Sequence, residues 1–187
     1  MIVRGIAIWP SLSEPNPTFG DFETKLRIDA ETKDLILPKL EAAHEENHAD
    51  QMRKLGKKEL KKYPIYCEAE VDDDGNPTGS YLIKLKMKAK DKEGRDRRLK
   101  IVDAKKNLMD EPVGMGSEIV ASFGVYGWYA PQLGAGITLQ LKAVQVIKLI
   151  ERGGGGTDEF DVEDGFESAA TTVCSTDTSD IQDATGF

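Results

Sequence analysis

Residues 80–90 read SYLIKLKMKAK, and this stretch decides the class of fold. Its side chains alternate strictly, and successive side chains of a β-strand point to opposite faces of a sheet. One face carries side chains that suit a core, namely Tyr81, Ile83, Leu85, Met87 and Ala89. The other face carries Leu82 and four ammonium groups, Lys84, Lys86, Lys88 and Lys90. The pattern predicts a β-strand with one buried face and one cationic face.

Three shorter stretches also have the composition of strands, namely residues 2–9, 22–28 and 97–103. The turn-like DKEGRD separates the last of them from 80–90, so the two stretches predict a hairpin. This hairpin concentrates positive charge, because residues 84–106 contain eleven Lys or Arg and four acids.

Two longer stretches complete the strand prediction. Residues 117–129 read SEIVASFGVYGWY and alternate, which places Tyr126 and Trp128 on the same face. Residues 137–150 read ITLQLKAVQVIKLI, and their alternation slips near 143–146, which indicates a β-bulge.

One stretch has the period of a helix. Apolar and His side chains recur at three- and four-residue steps between Asp34 and Gly56, with Pro38 in the expected first turn. These side chains are Leu37, Leu40, His44, His48, Met52 and Leu55. Several short strands and a single helix predict a mainly β protein, an OB-fold five-stranded barrel with one inserted α-helix.

Charge divides the chain into two parts. Residues 158–187 contain nine acids and no Lys or Arg, which leaves 25 basic and 24 acidic side chains in residues 1–157. Four glycines, Gly153 to Gly156, mark the boundary and allow almost any backbone angle. We therefore expect a binding domain at 1–152, then a linker and a disordered acidic tail at 153–187.

Several functional classes have little support in the sequence. There is no apolar run of roughly 20 residues to span a bilayer, and Cys67 and Cys174 stand too far apart in the sequence for a zinc-binding cysteine motif. No nucleophile elbow or phosphate-binding loop is present, so we expect no catalytic residues and no cofactor.

One motif keeps an enzymatic alternative open. Residues 44–48 read HEENH and match the H-E-x-x-H pattern, in which two His ligate Zn²⁺ and Glu45 acts as general base. A zinc-dependent hydrolase is therefore the alternative function. The competing interpretation places both His on the inward stripe of the helix, with no metal site.

Binding to nucleic acid has better support than catalysis. A sequence-tolerant binder of single strands needs cations for the phosphates and aromatic platforms for the bases. The candidate DNA-binding residues are Lys84, Lys86, Lys88, Arg98, Lys100, Tyr126 and Trp128. A solvated strand face and ordinary core packing remain alternatives for the lysines and for the aromatics. An RNA-binding OB module also remains open, since 2′-hydroxyl preference cannot be read from these residues.

The order of elements carries a family resemblance. The basic strand from Tyr81, the segment VDAKKN, the aromatic SFGVYGW, the strand ITLQLKAVQV and the glycines precede an acidic tail. In this order they resemble the single-stranded-DNA-binding protein of short-tailed, T-seven-like phages. The resemblance implies an OB barrel that coats single-stranded DNA in phage replication, recombination and repair. It also implies stacking at Tyr126 and Trp128 and phosphate contacts at Lys84 and Lys86.

The resemblance further implies partners and a location. Family tails contact the phage DNA polymerase and the helicase-primase, and members form homodimers. The corresponding tail residues here are Asp158, Glu159, Asp161, Glu163, Asp164 and Phe187. We also expect the carboxylates to occupy the cationic groove when DNA is absent. The implied location is the cytoplasm of the infected bacterial host, with no membrane association.

Overall fold

The computed structural model describes residues 1–151, which form seven strands and one helix. The strands are β1 (Ile2–Ser11), β2 (Asp21–Ile28), β3 (Cys67–Val71), β4 (Pro77–Lys88), β5 (Lys100–Val102), β6 (Glu118–Ala130) and β7 (Gly134–Lys148). Helix α1 (Ala30–Leu55) lies between β2 and β3 in the chain. The mainly β class is confirmed. The predicted linker and acidic tail, including Asp158 and Phe187, lie outside the described residues.

Strand pairing closes the sheet into a barrel. The order is β3-β4-β2-β1-β6-β7-β5, and an additional parallel pairing joins β4 to β7. This pairing closes a ring of five strands, β4-β2-β1-β6-β7, while β3 and β5 are short additions. Closure leaves these five strands with few open edges. The predicted five-stranded barrel with one inserted helix is confirmed.

The barrel interior is built by the alternation seen in the sequence. On β4 the inward side chains Ile83, Leu85 and Met87 are at most 3% exposed. Their neighbours Lys84 and Lys86 lie on the outer face and are half-buried. The other barrel strands alternate in the same way over most of their length, so one apolar core fills the barrel.

The predicted irregularity of the last strand is present as two bulges. Ser122 of β6 pairs with Ala143, but Phe123 pairs with Leu141, so Lys142 is an extra residue. A second shift leaves Ile147 as an extra residue near the end of β7. Each bulge changes which side chains face inward, and this explains the slip in alternation between them.

The predicted start of the helix was wrong. The helix begins at Ala30, and the Asp29 side chain caps it by accepting a hydrogen bond from the Thr32 N–H at 2.7 Å. Pro38 therefore lies inside the helix. It is exposed there, so the Asp34 carbonyl that its missing N–H leaves unpaired can bond water. Within residues 1–151 no helix combines the length and the apolar character needed to cross a membrane.

The predicted basic hairpin was wrong in its pairing. The turn is present, since Asp91 accepts hydrogen bonds from the Glu93 and Arg95 N–H groups. Only one bridge, Lys90 to Asp96, then continues β4 antiparallel to the chain that follows. Residues 97–103 contain just the short β5, which pairs in parallel with β7 instead.

Candidate nucleic-acid interface

The outer faces of three adjacent strands bring the predicted lysines and aromatics together. β7 lies between β4 and β6, and Gln140 of β7 pairs with Lys86 on one side and with Gly124 on the other. Strands in a sheet are about 4.8 Å apart, so the lysines of β4 lie about 10 Å from the aromatics of β6. We call this surface the lysine–aromatic face, and its outward side chains are Lys84, Lys86, Tyr126, Trp128, Thr138 and Gln140.

The two central lysines of the face differ in their surroundings. Lys84 Nζ forms an ion pair with Glu23 Oε2 of β2 at 2.8 Å. Lys86, although it lies beside Glu23 in register, forms no ion pair with any of residues 1–151. Lys25 lies opposite Lys84, and its hydrogen bond with Tyr66 raises the pKa of the Lys25 ammonium. Glu23 is thus the counter-charge beside the lysines of this face.

The remaining predicted basic residues extend this face in two directions. Lys100 of β5 pairs with Ala143, three residues beyond Gln140 on the same edge of β7, which corresponds to about 10 Å along the strand. Lys88 is exposed at the end of β4 opposite Asp21. Arg98 belongs to no strand and lines a cavity of about 340 Å³ beside the β1–β2 loop. Arg98 is therefore the predicted basic residue that no strand pairing relates to Tyr126.

The two predicted aromatics have different environments. Tyr126 is 57% exposed and lies opposite Thr138 of β7. Trp128 is half-buried, with its ring centroid 5.2 Å from that of Tyr63 at an interplanar angle of 56°. Tyr126 can therefore offer a free ring face to a base. Trp128 can do so only together with Tyr63, which extends the aromatic surface.

Two glycines on this face allow a neighbouring side chain to lie directly over the backbone. The Trp128 ring lies across Gly136 of the neighbouring strand so closely that a Cβ there would collide with it. A Cβ on Gly124 would lie 3.0 Å from Lys142 Cε, so the Lys142 chain passes directly over Gly124. The bulge residue Lys142 thus places a further exposed side chain with an ammonium group over Gly124, two residues from Tyr126 in β6.

Sequence reasoning missed Lys142 and Tyr63. Lys142 could have been found from the slip in alternation, because a bulge residue turns away from the core. Tyr63 reaches Trp128 because its N–H donates to the Ala135 carbonyl at 2.7 Å, a contact between distant parts of the chain. No local pattern in the sequence signals that contact.

The two histidines of the HEENH motif have structural partners. His44 is buried, and its Nε2–H donates to the Ala135 carbonyl at 3.2 Å. The His48 Nε2–H donates to the Leu60 carbonyl at 2.8 Å. Glu45 is exposed beside Lys62, whose hydrogen bond lowers the pKa of the carboxyl. In residues 1–151 no group of three or more His, Cys, Asp or Glu is placed to hold a metal ion.

Comparison with known proteins identifies relatives of this chain. No protein-family model matches the chain. The single-stranded DNA-binding protein of Enterobacteria phage T3 is 31% identical over 137 residues, which are 68% of this chain and 58% of that protein. The corresponding protein of Escherichia phage T7 is 30% identical over 129 residues, which are 64% of this chain and 54% of that protein. The chain is a relative of the single-stranded-DNA-binding proteins of T7-like phages. The resemblance inferred from the sequence is confirmed.

The matched regions span between half and two thirds of the T3 and T7 proteins. Solved structures extend the likeness to the fold. The crystal structure of the T7 single-stranded DNA-binding protein superimposes with a TM-score of 0.68 at 22% identity, over 90% of this chain and 99% of that one. The single-stranded DNA-binding protein of bacteriophage Enc34 in complex with single-stranded DNA gives a TM-score of 0.57 at 15% identity, over 82% and 89%. The barrel described here is therefore the fold of these phage proteins.

Proposed function

We propose that this protein binds single-stranded DNA, without sequence preference, through the lysine–aromatic face. One observation carries the proposal: Lys84 and Lys86 on β4 share an outer face with Tyr126 and Trp128 on β6, across the intervening strand β7. Phosphates attract ammonium groups, and every base has a flat face that can stack on an aromatic ring. The T3 and T7 relatives support the proposal, because both are named as single-stranded DNA-binding proteins. No catalytic step is part of it.

The geometry suggests how a strand would lie. The lysines follow the edge of β7 on the β4 side, and the aromatics follow its other edge on β6. Between them Thr138 and Gln140 are uncharged, so a nucleotide can cross β7 without meeting a carboxylate on that strand. The phosphates would run along β4 while the bases reach across β7 to β6.

The test is a titration that follows tryptophan fluorescence. Single-stranded DNA, duplex DNA and single-stranded RNA are added separately at two salt concentrations. We expect strong quenching by single-stranded DNA that weakens at high salt, because phosphate contacts release counterions. An unchanged signal with every nucleic acid, confirmed by a gel-shift assay, would refute the proposal. Tighter binding of RNA than of DNA would favour the RNA-binding alternative.

We further propose that the protein coats single-stranded DNA during phage replication, recombination and repair, in the cytoplasm of the infected bacterium. Sequence-tolerant binding is what coating requires, since the exposed strand has no fixed sequence. The phage origin of the T3 and T7 relatives supports this setting. Complementation of a phage that lacks its own single-stranded-DNA-binding protein would test the role. Failure to restore phage DNA synthesis at normal protein levels would count against it.

A regulatory role for the acidic tail is part of the proposal. Nine acids without a basic residue in 158–187 can compete with DNA for the lysines of the face. When DNA displaces the tail, Phe187 and the nearby carboxylates become available to the phage DNA polymerase and helicase-primase. Because the two events are linked, DNA occupancy would promote recruitment.

Removing 158–187 tests this role. We expect tighter binding to single-stranded DNA at low salt and loss of binding to the polymerase and helicase-primase. A matched variant replaces Asp158, Glu159, Asp161, Glu163 and Asp164 with their amides, which keeps length and shape. Equal or weaker DNA affinity in both variants would contradict competition by the tail.

We also propose that the protein forms a homodimer, as the family resemblance implies. Sedimentation equilibrium over a range of protein concentrations would test this directly. A mass that stays at 20.6 kDa at every concentration would refute the dimer.

A further inference from the structure

The most exposed aromatic among residues 1–151 is not in the lysine–aromatic face as defined above. Trp9 of β1 is 71% exposed and has a φ of 50°, in the left-handed region. A bulky side chain rarely adopts that region, and such backbone outliers are found preferentially at functional sites. Packing of the Trp9 side chain does not explain this conformation, because most of the side chain is exposed.

A bulge produces this conformation. Ile8 pairs with Lys25 and Ser11 pairs with Glu23, so Trp9 and Pro10 together face the single residue Thr24. Pro10 has no N–H to offer to the ladder and is itself buried, which favours a break in pairing at this point. The consequence is that Trp9 turns outward while the residues on both sides, Ile8 and Pro10, remain buried.

The position of Trp9 relates it to the lysines. β2 lies between β1 and β4, and Lys25 of β2 pairs with Ile8 on one side and with Lys84 on the other. Trp9 is therefore about two strand spacings, roughly 10 Å, from the lysines of β4. It lies on the opposite side of them from Tyr126. The lysines thus have an exposed aromatic on each side.

A second exposed aromatic belongs to the same end of the barrel. Phe19 of the β1–β2 loop is 69% exposed. The loop is attached to the end of β4, because the Ala89 N–H donates to the Gly20 carbonyl at 3.2 Å. Lys88 ends β4 at this place, and Arg98 lines the 340 Å³ cavity together with Ser13 and Pro15 of the loop. The loop that carries Phe19 is thus attached to the part of the barrel that holds Lys88 and Arg98.

We propose that Trp9 and Phe19 form a second stacking platform for the same DNA strand. This inference rests on the function proposed above. The strand would cross the lysines of β4 with bases stacked at both ends, on Tyr126 and Trp128 at one end and on Trp9 and Phe19 at the other. This part of the surface carries Lys25, Lys88 and Arg98 together with the carboxylates Asp21 and Glu23 of β2, so it is charged and favours a polyanion over an apolar protein surface. The loop between the first two strands is a recurrent oligonucleotide contact of this barrel.

The two tryptophans of the chain allow each end to be observed separately. Trp128→Phe leaves Trp9 as the sole reporter, and Trp9→Phe leaves Trp128. Both variants of the full-length protein are titrated with oligothymidylates of about 4 to 16 nucleotides, the range bound by single OB barrels. We expect saturating longer oligonucleotides to quench both reporters. Fluorescence anisotropy of a labelled oligonucleotide measures binding independently of the tryptophans.

Affinity gives a second readout. We expect Trp9→Ala to weaken binding of the longer oligonucleotides about 5- to 150-fold, the range for loss of one stacked base. The salt dependence of binding should not change, because no phosphate contact is removed. Trp9→Phe should retain most of the affinity. Leu35→Ala is the matched control, since Leu35 is 65% exposed but belongs to helix α1 and not to β1 or its loop.

The outcomes separate this inference from the proposed function. If DNA binds and quenches Trp128 while Trp9 emission and the affinity of Trp9→Ala remain unchanged, the second platform is refuted and the proposed function stands. If anisotropy detects no binding to the unmodified protein, the proposed function fails, and the second platform fails with it. Quenching of Trp9 together with a specific affinity loss in Trp9→Ala supports both.

Discussion

Helix α1 and the lysine–aromatic face both carry polar residues whose spacing in the sequence is typical of a functional site. In the structure these residues have different partners. On α1 the inward polar groups are bonded to backbone carbonyls. Asn47 Nδ2 donates to the carbonyls of Trp128 and Gly136 at 3.1 and 2.9 Å, and His44 donates to that of Ala135. On the lysine–aromatic face Tyr126 and Lys86 project outward, and Lys86 has no ion-pair partner within residues 1–151.

The difference has a structural cause. β7 pairs with β4 only at Leu139 and Gln140, so the first residues of β7 extend beyond this pairing. The last part of β6 likewise extends beyond its pairing with β1. Carbonyl groups in these extensions need donors, because an unpaired buried carbonyl is costly. α1 supplies those donors through His44 and Asn47, which explains two of the polar residues on its inward side. A residue pattern indicates a binding site only where the fold leaves its groups unpartnered.

Replacing Asn47 should have the largest effect on stability. We expect Asn47→Ala to lower the free energy of unfolding by about 2–4 kcal/mol, because two carbonyls lose their donor. Urea denaturation measures this change. Glu46→Ala, at an exposed position of the same helix, should change it by less than about 0.5 kcal/mol. Equal effects of the two substitutions would show that α1 does not act as a supplier of donors.

Replacing Tyr126 should affect binding instead of stability. We expect Tyr126→Ala to weaken single-stranded DNA binding by about 1–3 kcal/mol through the loss of one stacked base. Its free energy of unfolding should change little, since the ring is 57% exposed. Tyr126→Phe, which keeps the ring, should bind nearly as the unmodified protein does. Loss of stability without loss of affinity would place Tyr126 with the structural residues.

Replacing Lys86 should change the salt dependence of binding. Each phosphate contact to a single strand contributes about 0.7 to the slope of log affinity against log salt, so Lys86→Ala should reduce the slope by about that amount. Lys54→Ala, in the last turn of α1, is the control for loss of a positive charge. A similar reduction in both variants would mean that the protein attracts DNA by overall charge and not by this face.

Replacing Glu23 should have the smallest effect. Its ion pair with Lys84 is partly exposed, and such pairs contribute about 0–1 kcal/mol. Glu23→Gln frees Lys84, so we expect a few-fold higher DNA affinity at low salt that vanishes at high salt. Glu118→Gln, which breaks the pair with Arg4, is the control. Lower affinity in Glu23→Gln would indicate that Lys84 is positioned by Glu23 and not neutralised by it.

Local patterns in the sequence were sufficient for the five strands of the barrel and their faces. They did not predict β3, and only Lys100–Val102 of the predicted strand 97–103 is a strand. The alternation around Lys84 and around Tyr126 depends only on successive side chains, and the structure retains it. The sequence pattern places Pro38 in the first turn, whereas the helix begins at Ala30, because Asp29 is an equally good cap. These features depend on neighbouring residues alone.

Features that depend on distant partners could not be predicted. The parallel pairing of β5 with β7 and the contact of Tyr63 with Trp128 join segments more than 40 residues apart. The outward turn of Trp9 depends on its bulge against β2. The HEENH motif left two interpretations open in the sequence, since the carbonyls that bond His44 and His48 belong to Ala135 and Leu60, outside the motif.

Photocrosslinking tests the central claim most directly. Single-stranded oligonucleotides that contain 5-bromodeoxyuridine are bound to the full-length protein and irradiated, and crosslinked peptides are identified by mass spectrometry. The account predicts crosslinks in β6 at Tyr126 or Trp128 and none in α1. Crosslinks confined to α1 or to the segment around Leu108, with β6 unmodified, would contradict the assignment of DNA binding to the lysine–aromatic face.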